Sequence, residues 1–221
     1  MVRAPIKVIT VEREYGSHGG EFAHDLAVRL GWRLLDSELA ANAARKAGVD
    51  PKTAAKYDEQ IDPWYRRYGK IFWLDPVYTQ TPSGEEDVFD SERLLKLIKQ
   101  EILDAANEGN CVLVGRGSAC ALAGVPGCFH TFVYATARAK KEWFARTFPQ
   151  QAQHAEQHLA SVDKRRAAVI RTFYQQEWCS RGLYHMLLNS CIGTEAMIAA
   201  VMCAAKVCPA PPAEQVAGNR E

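Results

Sequence analysis

The sequence predicts an α/β protein whose parallel sheet carries helices on both faces. Three observations lead there. Apolar, β-branched runs at about 6–11, 111–114 and 129–135 read as buried strands. Stretches of helical period separate them, and strands alternating with helices build a parallel sheet. The first strand runs into a turn holding Gly16, Gly19 and Gly20, after which Phe22, Leu26 and Leu30 recur at helical spacing. Strand, glycine turn and helix is the layout of a phosphate-binding loop. Glycine lets backbone N–H groups converge on an anion, and the helix N-terminus adds a favourable field.

Taken in order, the first helix spans about 20–30 and Gly31 caps it. A short strand, 32–35, ends at Asp36. Helix formers fill 37–47 until Gly48, and Pro51 can open another helix running to about 60. Residues 61–84 mix Trp64, Tyr65, Tyr68, Phe72, Trp73 and Tyr78 with Arg66, Arg67 and Lys70. Such a mixture either stacks a base or forms the apolar face of an irregular insertion, which is the commoner case. The stretch 79–87 reads as loop. Ser91 is expected to cap a long helix with Leu94, Ile98, Ile102 and Ala105 on one face, ended by Gly109. After the strands at 111–114 and 129–135 come a helix at 137–148, an interruption at Pro149 and the Gln-rich 150–157, and a helix at 158–176. A fifth strand at 184–188 and a last helix at 194–207 follow. From 209 onward, prolines and small polar residues suggest a disordered tail. This gives one domain over 1–208, with a core of 5–36 and 108–207, a helical insertion at 37–107, a lid at about 148–165 and a tail at 209–221.

The length of 221 residues allows a sizeable single core. Lys and Arg number 27 against 26 Asp and Glu, a net charge of +1, which argues against nucleic-acid binding by bulk charge. No apolar run is long enough for a membrane span, and the N-terminus lacks a signal-peptide pattern, so a cytoplasmic protein with no membrane partner is expected. The seven cysteines form no C-x-x-C pair, and several, such as Cys111 and Cys203, sit in apolar company; reduced, buried thiols are expected.

The wording of the loop is more specific than its glycines. The run Thr10-Val11-Glu12-Arg13-Glu14-Tyr15-Gly16-Ser17, continued by Gly19, Glu21, Phe22 and Ala23, resembles the opening of the cytidylate kinase-like family. Leu35-Asp36-Ser37-Glu38-Leu39 resembles that family's segment after the second strand. Cys111-Val112-Leu113-Val114-Gly115-Arg116-Gly117 resembles its third strand end. Asp163-Lys164-Arg165-Arg166, then Tyr184 and Leu188-Asn189-Ser190, resemble its lid arginine and last strand. The resemblance covers most of residues 6 to 203. It implies a P-loop kinase-like fold with five parallel strands, and ATP- and Mg²⁺-dependent transfer of a phosphoryl group to a nucleoside monophosphate, CMP first. Three positions depart from the family. His18 stands for a usual glycine, Gly20 for a variable and often basic residue, and Gly117 for the aspartate of true cytidylate kinases.

The loop also lacks the lysine and Ser/Thr of G-x-x-x-x-G-K-[ST], here replaced by Glu21 and Phe22. Phosphoryl transfer depends on charge stabilisation, so arginines must carry more of it. The candidates are Arg13, Arg116, Arg165, Arg166 and Arg171. Gly16, Ser17, His18, Gly19, Gly20 and Glu21 are expected to hold the donor's phosphates. Arg13 either folds back to those phosphates or pairs with Glu12 or Glu14. Arg116, at an exposed strand end with glycine on both sides, is expected from the resemblance to hold the acceptor's phosphate, with Arg166 as the lid arginine. Asp36 is read at the acceptor site or near Mg²⁺, or as a helix N-cap, and Arg165 and Arg171 are further acceptor-side candidates. His154 and His158, four apart, either form a metal pair on one helical face or belong to a solvated lid, and no metal site is assigned. A nucleotide-binding module with little turnover, acting through an unknown protein partner, and a kinase of another small acceptor are the alternative functions.

Overall fold

The computed structural model describes residues 4–36 and 84–209, with side chains from 96 onward in the second stretch. The expected helices at 37–47 and 51–60, the aromatic stretch 61–83 and the tail from 210 lie outside the described residues. The elements are β1 (Val8–Arg13), α1 (Gly19–Leu30), β2 (Arg33–Leu35), α2 (Gly84–Glu108), β3 (Cys111–Val114), α3 (Ser118–Ala121), β4 (Cys128–Tyr134), α4 (Ala137–Thr147), α5 (Ala155–Tyr174), β5 (Met186–Asn189) and α6 (Thr194–Ala205). Short 3₁₀ turns, Pro149–His154 and Ser190–Ile192, precede α5 and α6.

The five strands form one parallel sheet in the order β2-β3-β1-β4-β5. β1 is central, and all six of its residues are buried, which is why it reads as an unbroken apolar run until its last two positions. Alternate residues serve opposite faces. Ile9 and Val11 join Phe22, Leu26, Val112, Val133, Met197 and Val201 in the layer under α1 and α6. Val8 packs on the other face with Leu35, Ile98, Ile102, Cys111, Leu113 and Leu122, so the second half of α2 belongs to that layer.

Local chemistry sets the element ends. Gly31 adopts φ 64°, and the N–H of Trp32 reaches back to the Ala27 carbonyl at 2.9 Å, a glycine-terminated helix as expected. Thr136 caps α4 by accepting from the Ala139 N–H at 3.2 Å. The expectation for α2 is corrected: the helix starts at Gly84, so Ser91 lies inside it and 84–87 is helix, not loop. Helix formers such as Glu85 and Glu86 outweigh the turn signal that Ser83 and Gly84 give. α5 begins at Ala155, not 158, taking in part of the Gln-rich stretch. The cysteines carry no disulfide. Cys111 and Cys128 are buried and Cys120 is half-buried, whereas Cys179, Cys191, Cys203 and Cys208 are exposed. Cys203 thus corrects the expectation of burial: its alanine neighbours share a helix with it, but its own side of α6 faces water. No described helix is long and apolar enough to cross a membrane.

Candidate functional site

At the C-terminal edge of the sheet the chain from β1 turns into α1 and forms a cavity of about 300 Å³, lined by Arg13 to Glu21, Asp36, Trp143, Phe148 and Arg166. Ligands of open parallel sheets bind at this edge. A cavity of about 600 Å³ sits at the opposite edge, among Pro5, Gly127, His130, His185 and Lys206. It is larger, but it holds neither the glycine loop nor an arginine, so size is a poor guide here to where the chemistry lies.

The loop is built tightly. The Ser17 hydroxyl donates to the Glu14 carbonyl at 2.8 Å, and Ser17 is fully buried. His18, the residue ahead of α1, has φ 59°, the left-handed conformation that the family's usual glycine adopts without cost. Its Nδ1 lies 2.9 Å from Glu21 Oε2. The imidazole therefore leans along the start of α1 and meets Glu21. Gly19 has no room for a side chain, because the Arg13 stem passes beneath it. Gly20 faces open space.

Arg13 takes neither alternative outright. Its guanidinium is 3.9 Å from Asp36 Oδ2 and lies against Gly115, while its carbonyl accepts from Arg166 Nη1 at 2.8 Å. Arg166 also lies 5.7 Å from the Tyr15 ring centre. The loop cavity thus holds two guanidiniums, Arg13 and Arg166, where the sequence has no loop lysine.

Arg116 is a correction. It is not exposed: only 8% of it meets solvent. Gly115, Arg116 and Gly117 form a left-handed turn with φ 66°, 61° and 69°. The flanking glycines are needed because a Cβ on Gly115 would meet the Arg13 guanidinium, and one on Gly117 would meet the Tyr174 ring and Ile170. Close packing accounts for them. Arg116 Nη2 donates to the Asp36 carbonyl at 3.5 Å, so Arg13, Arg116 and Asp36 gather where β1, β2 and β3 end. One Asp36 carboxylate oxygen, Oδ1, is buried with no hydrogen-bond partner among the described residues. Whether Asp36 also caps a helix turns on Ser37, outside the described residues.

Glu12 fastens this turn. Its carboxylate is buried, with Oε1 accepting from the Gly117 N–H at 3.1 Å and Oε2 from Trp178 Nε1–H at 3.2 Å. Burial pushes its pKa up, against the opposing pull of Arg13, Trp178, Arg166 and Gly117.

A second network ties α4 and α5 to the loop. Lys140 Nζ lies 2.9 Å from Glu14 Oε2 and 3.2 Å from Asp163 Oδ2. Asp163 Oδ1 accepts the Tyr15 N–H at 2.8 Å, and Glu14 Oε2 also accepts the Ala135 N–H at 3.3 Å. Burial alone would lower the Lys140 pKa, but Glu14 and Asp163 outweigh it and raise it. Asp163 goes up as well, because burial outweighs its donors. The pair is ionised, since the ammonium sits between two carboxylates. Beneath the network, Tyr15, Phe144, Ala155, Leu159 and Val162 form an apolar cluster. In this structure the stretch expected as a lid therefore rests against the loop.

The remaining candidates lie elsewhere. Arg165 is half-buried beside Arg166 and does not line the loop cavity. Arg171 points outward and pairs with Glu177 at 2.6 Å, both largely exposed. His154 precedes α5 in the 3₁₀ turn, whereas His158 packs near Tyr15 and Phe144, so the two do not share a helical face. No cluster of three or more His, Cys, Asp or Glu able to hold a metal occurs among the described residues. Sequence reasoning gave Lys140, Trp143 and Phe148 no role at the site, named Glu14 only as a partner for Arg13, and quoted Asp163 only within the lid-arginine motif. Only Glu12 had a signal of its own, a carboxylate closing an otherwise apolar strand.

The sequence model of the cytidylate kinase-like family matches residues 8–191. No curated protein is a significant match. An uncharacterized protein from Eubacterium ventriosum has a similar structure, with TM-score 0.55 and 17% identity, over 88% of this chain and 97% of that one. Shikimate kinase from Bacteroides thetaiotaomicron is similar at TM-score 0.51 and 9% identity, over 90% and 98%. A Thermus thermophilus protein is similar at TM-score 0.50 and 15% identity, over 91% and 98%. At these identities the likeness concerns the fold, an α/β P-loop kinase-like one.

Proposed function

The chain belongs to the cytidylate kinase-like family, and from that premise we propose that it transfers a phosphoryl group from ATP to a small acceptor, a nucleoside monophosphate of the CMP type. The observation that carries this reading is that two arginines, Arg13 and Arg166, line the loop cavity together with Asp36. Fixed arginine forks suit phosphate oxygens and stabilise the charge that spreads over a transferring phosphoryl group. In this reading the loop from Gly16 to Glu21 orients the donor's phosphates. Arg166 closes on them from α5, and Arg116 holds the acceptor's phosphate beyond the ends of β2 and β3, with Asp36 beside it. Arg165 and Arg171 are acceptor-side contacts only if the lid region rearranges.

Mg²⁺ fits the residues present at one point. The buried Asp36 Oδ1, with no hydrogen-bond partner among the described residues, can take a cation or its water. Ser17 does not, because it is fully buried within the loop. When bound, the ion would neutralise charge on the phosphates.

The test is a panel of nucleoside monophosphates incubated with ATP and Mg²⁺, reading ADP. ADP formation with CMP, lowered on the order of 10³-fold or more in Arg166→Ala, is the expected result. A second reading, a nucleotide-binding module without turnover, is favoured by the loop's tightness: Asp163 already holds the Tyr15 amide, and Trp143 lies on Gly16. Nucleotide binding with no ADP from any acceptor would select it.

A further inference from the structure

The loop cavity ends against two aromatic rings that phosphate chemistry does not require. Trp143, on α4, and Phe148, just past its end, both line it and both are half-buried. Their ring centres are 6.1 Å apart at an interplanar angle of 83°. Trp143 lies directly on the loop backbone: a Cβ on Gly16 would come within 2.9 Å of its Cε3. Tyr15 meets the indole nearly at a right angle at 5.3 Å, and His18 does so at 6.2 Å. The indole is thus held in one orientation from the loop side while part of it stays open to the cavity.

Topology places these rings on the donor side. β1 separates β3 and β2 from β4 in the sheet order. Asp36 follows β2, and α4 follows β4, so Trp143 stands across the loop from the proposed acceptor edge. The cavity, about 300 Å³, is at the small end of ligand pockets. It has room for a phosphate chain, and a base attached to that chain must lie at the rim, where the two rings are.

We propose that Trp143, with Phe148 beside it, is the stacking platform for the base of the donor nucleotide, and that it selects a nucleoside triphosphate over a bare polyphosphate. This rests on the phosphoryl-transfer reading of the loop and adds the donor's recognition to it. Every base has a π-face, so the platform enforces the presence of a base more than its identity.

The test compares ATP with inorganic tripolyphosphate by calorimetry on the full chain, wild type beside Trp143→Leu and Trp143→Phe. Leucine keeps apolar volume against Tyr15 and Leu159 and removes the π-face; phenylalanine retains one. Wild type should bind ATP about 5- to 150-fold more tightly than tripolyphosphate, the affinity ratio that stacking one base supplies. Trp143→Leu should bring that ratio close to one with tripolyphosphate affinity unchanged, and Trp143→Phe should restore most of it. A wild-type preference that Trp143→Leu leaves intact overturns the platform while the loop reading stands. A wild-type chain that binds neither ligand overturns both.

Discussion

Asp163→Ala is the perturbation from outside the loop that reaches deepest into it. The carboxylate accepts the Tyr15 N–H at 2.8 Å and Lys140 Nζ at 3.2 Å, with Arg166 Nη1 farther off at 3.9 Å. The side chains of Asp163 and Lys140 are 17% and 14% exposed, so water replaces neither contact cheaply. Orphaning a buried amide costs about 1–3 kcal/mol, and losing a charge-assisted bond about 1.5–3 kcal/mol. Part of this returns, on the order of 1 kcal/mol, because the variant no longer desolvates a carboxylate. The net expectation is about 1.5–5 kcal/mol of destabilisation. At roughly 2–4 °C per kcal/mol for a chain of this size, the melting midpoint should fall by about 3–20 °C. Asp163→Asn keeps an acceptor for Tyr15 and turns an amide N–H₂ toward an ammonium that still holds Glu14, so it should cost roughly half as much. Urea unfolding of the three proteins is the assay. An alanine variant within about 0.5 kcal/mol of wild type would refute the reasoning, as would an asparagine variant less stable than alanine, since keeping an acceptor for the Tyr15 amide would then be worth nothing.

Three further outcomes are expected. Burial and the neighbouring His185 push the His130 pKa down from 6.5 to about 4; between those values the unfolded chain takes up a proton that the folded chain refuses, so stability falls as pH falls, by roughly 3 kcal/mol in all. Urea melts of His130→Gln across that range should show a shallower pH dependence by about that amount, and parallel curves would contradict it. Gly117→Ala should destabilise more than Gly124→Ala, since both have positive φ but only Gly117 has the Tyr174 ring where the Cβ would go; equal midpoints would mean that conformation alone sets the cost. Arg171→Ala, which breaks an exposed pair with Glu177, should leave stability within about 0.5 kcal/mol of wild type, and a large loss of acceptor affinity in steady-state kinetics would show that α5 turns Arg171 inward when substrate binds.

Local rules, each written in a handful of adjacent residues, were enough for the scaffold. Apolar β-branched runs placed three strands, and the shorter stretches ending at Leu35 and Leu188 placed the other two. Leu30 with Gly31, and Ala105 with Gly109, marked helix ends where a left-handed glycine could close them. The glycine turn after β1 pointed to the edge where the cavity lies. At α2 the local signals failed, because a turn signal at Ser83 and Gly84 competes with a long run of helix formers and loses. The site's charges were beyond local reading. Lys140 meets Asp163 across 23 positions and two helices, and Asp163 meets the Tyr15 amide across 148, separations that carry no periodicity. Arg116 reads as exposed from its place at a strand end; in the fold its glycine neighbours are spaces that Arg13 and Tyr174 fill, and the arginine is buried. Backbone propensity is decided by neighbours in sequence, so the order of strands and helices could be read from the chain. The partner of a charge is decided by which strand ends the parallel sheet brings together, and that followed only from the order β2-β3-β1-β4-β5.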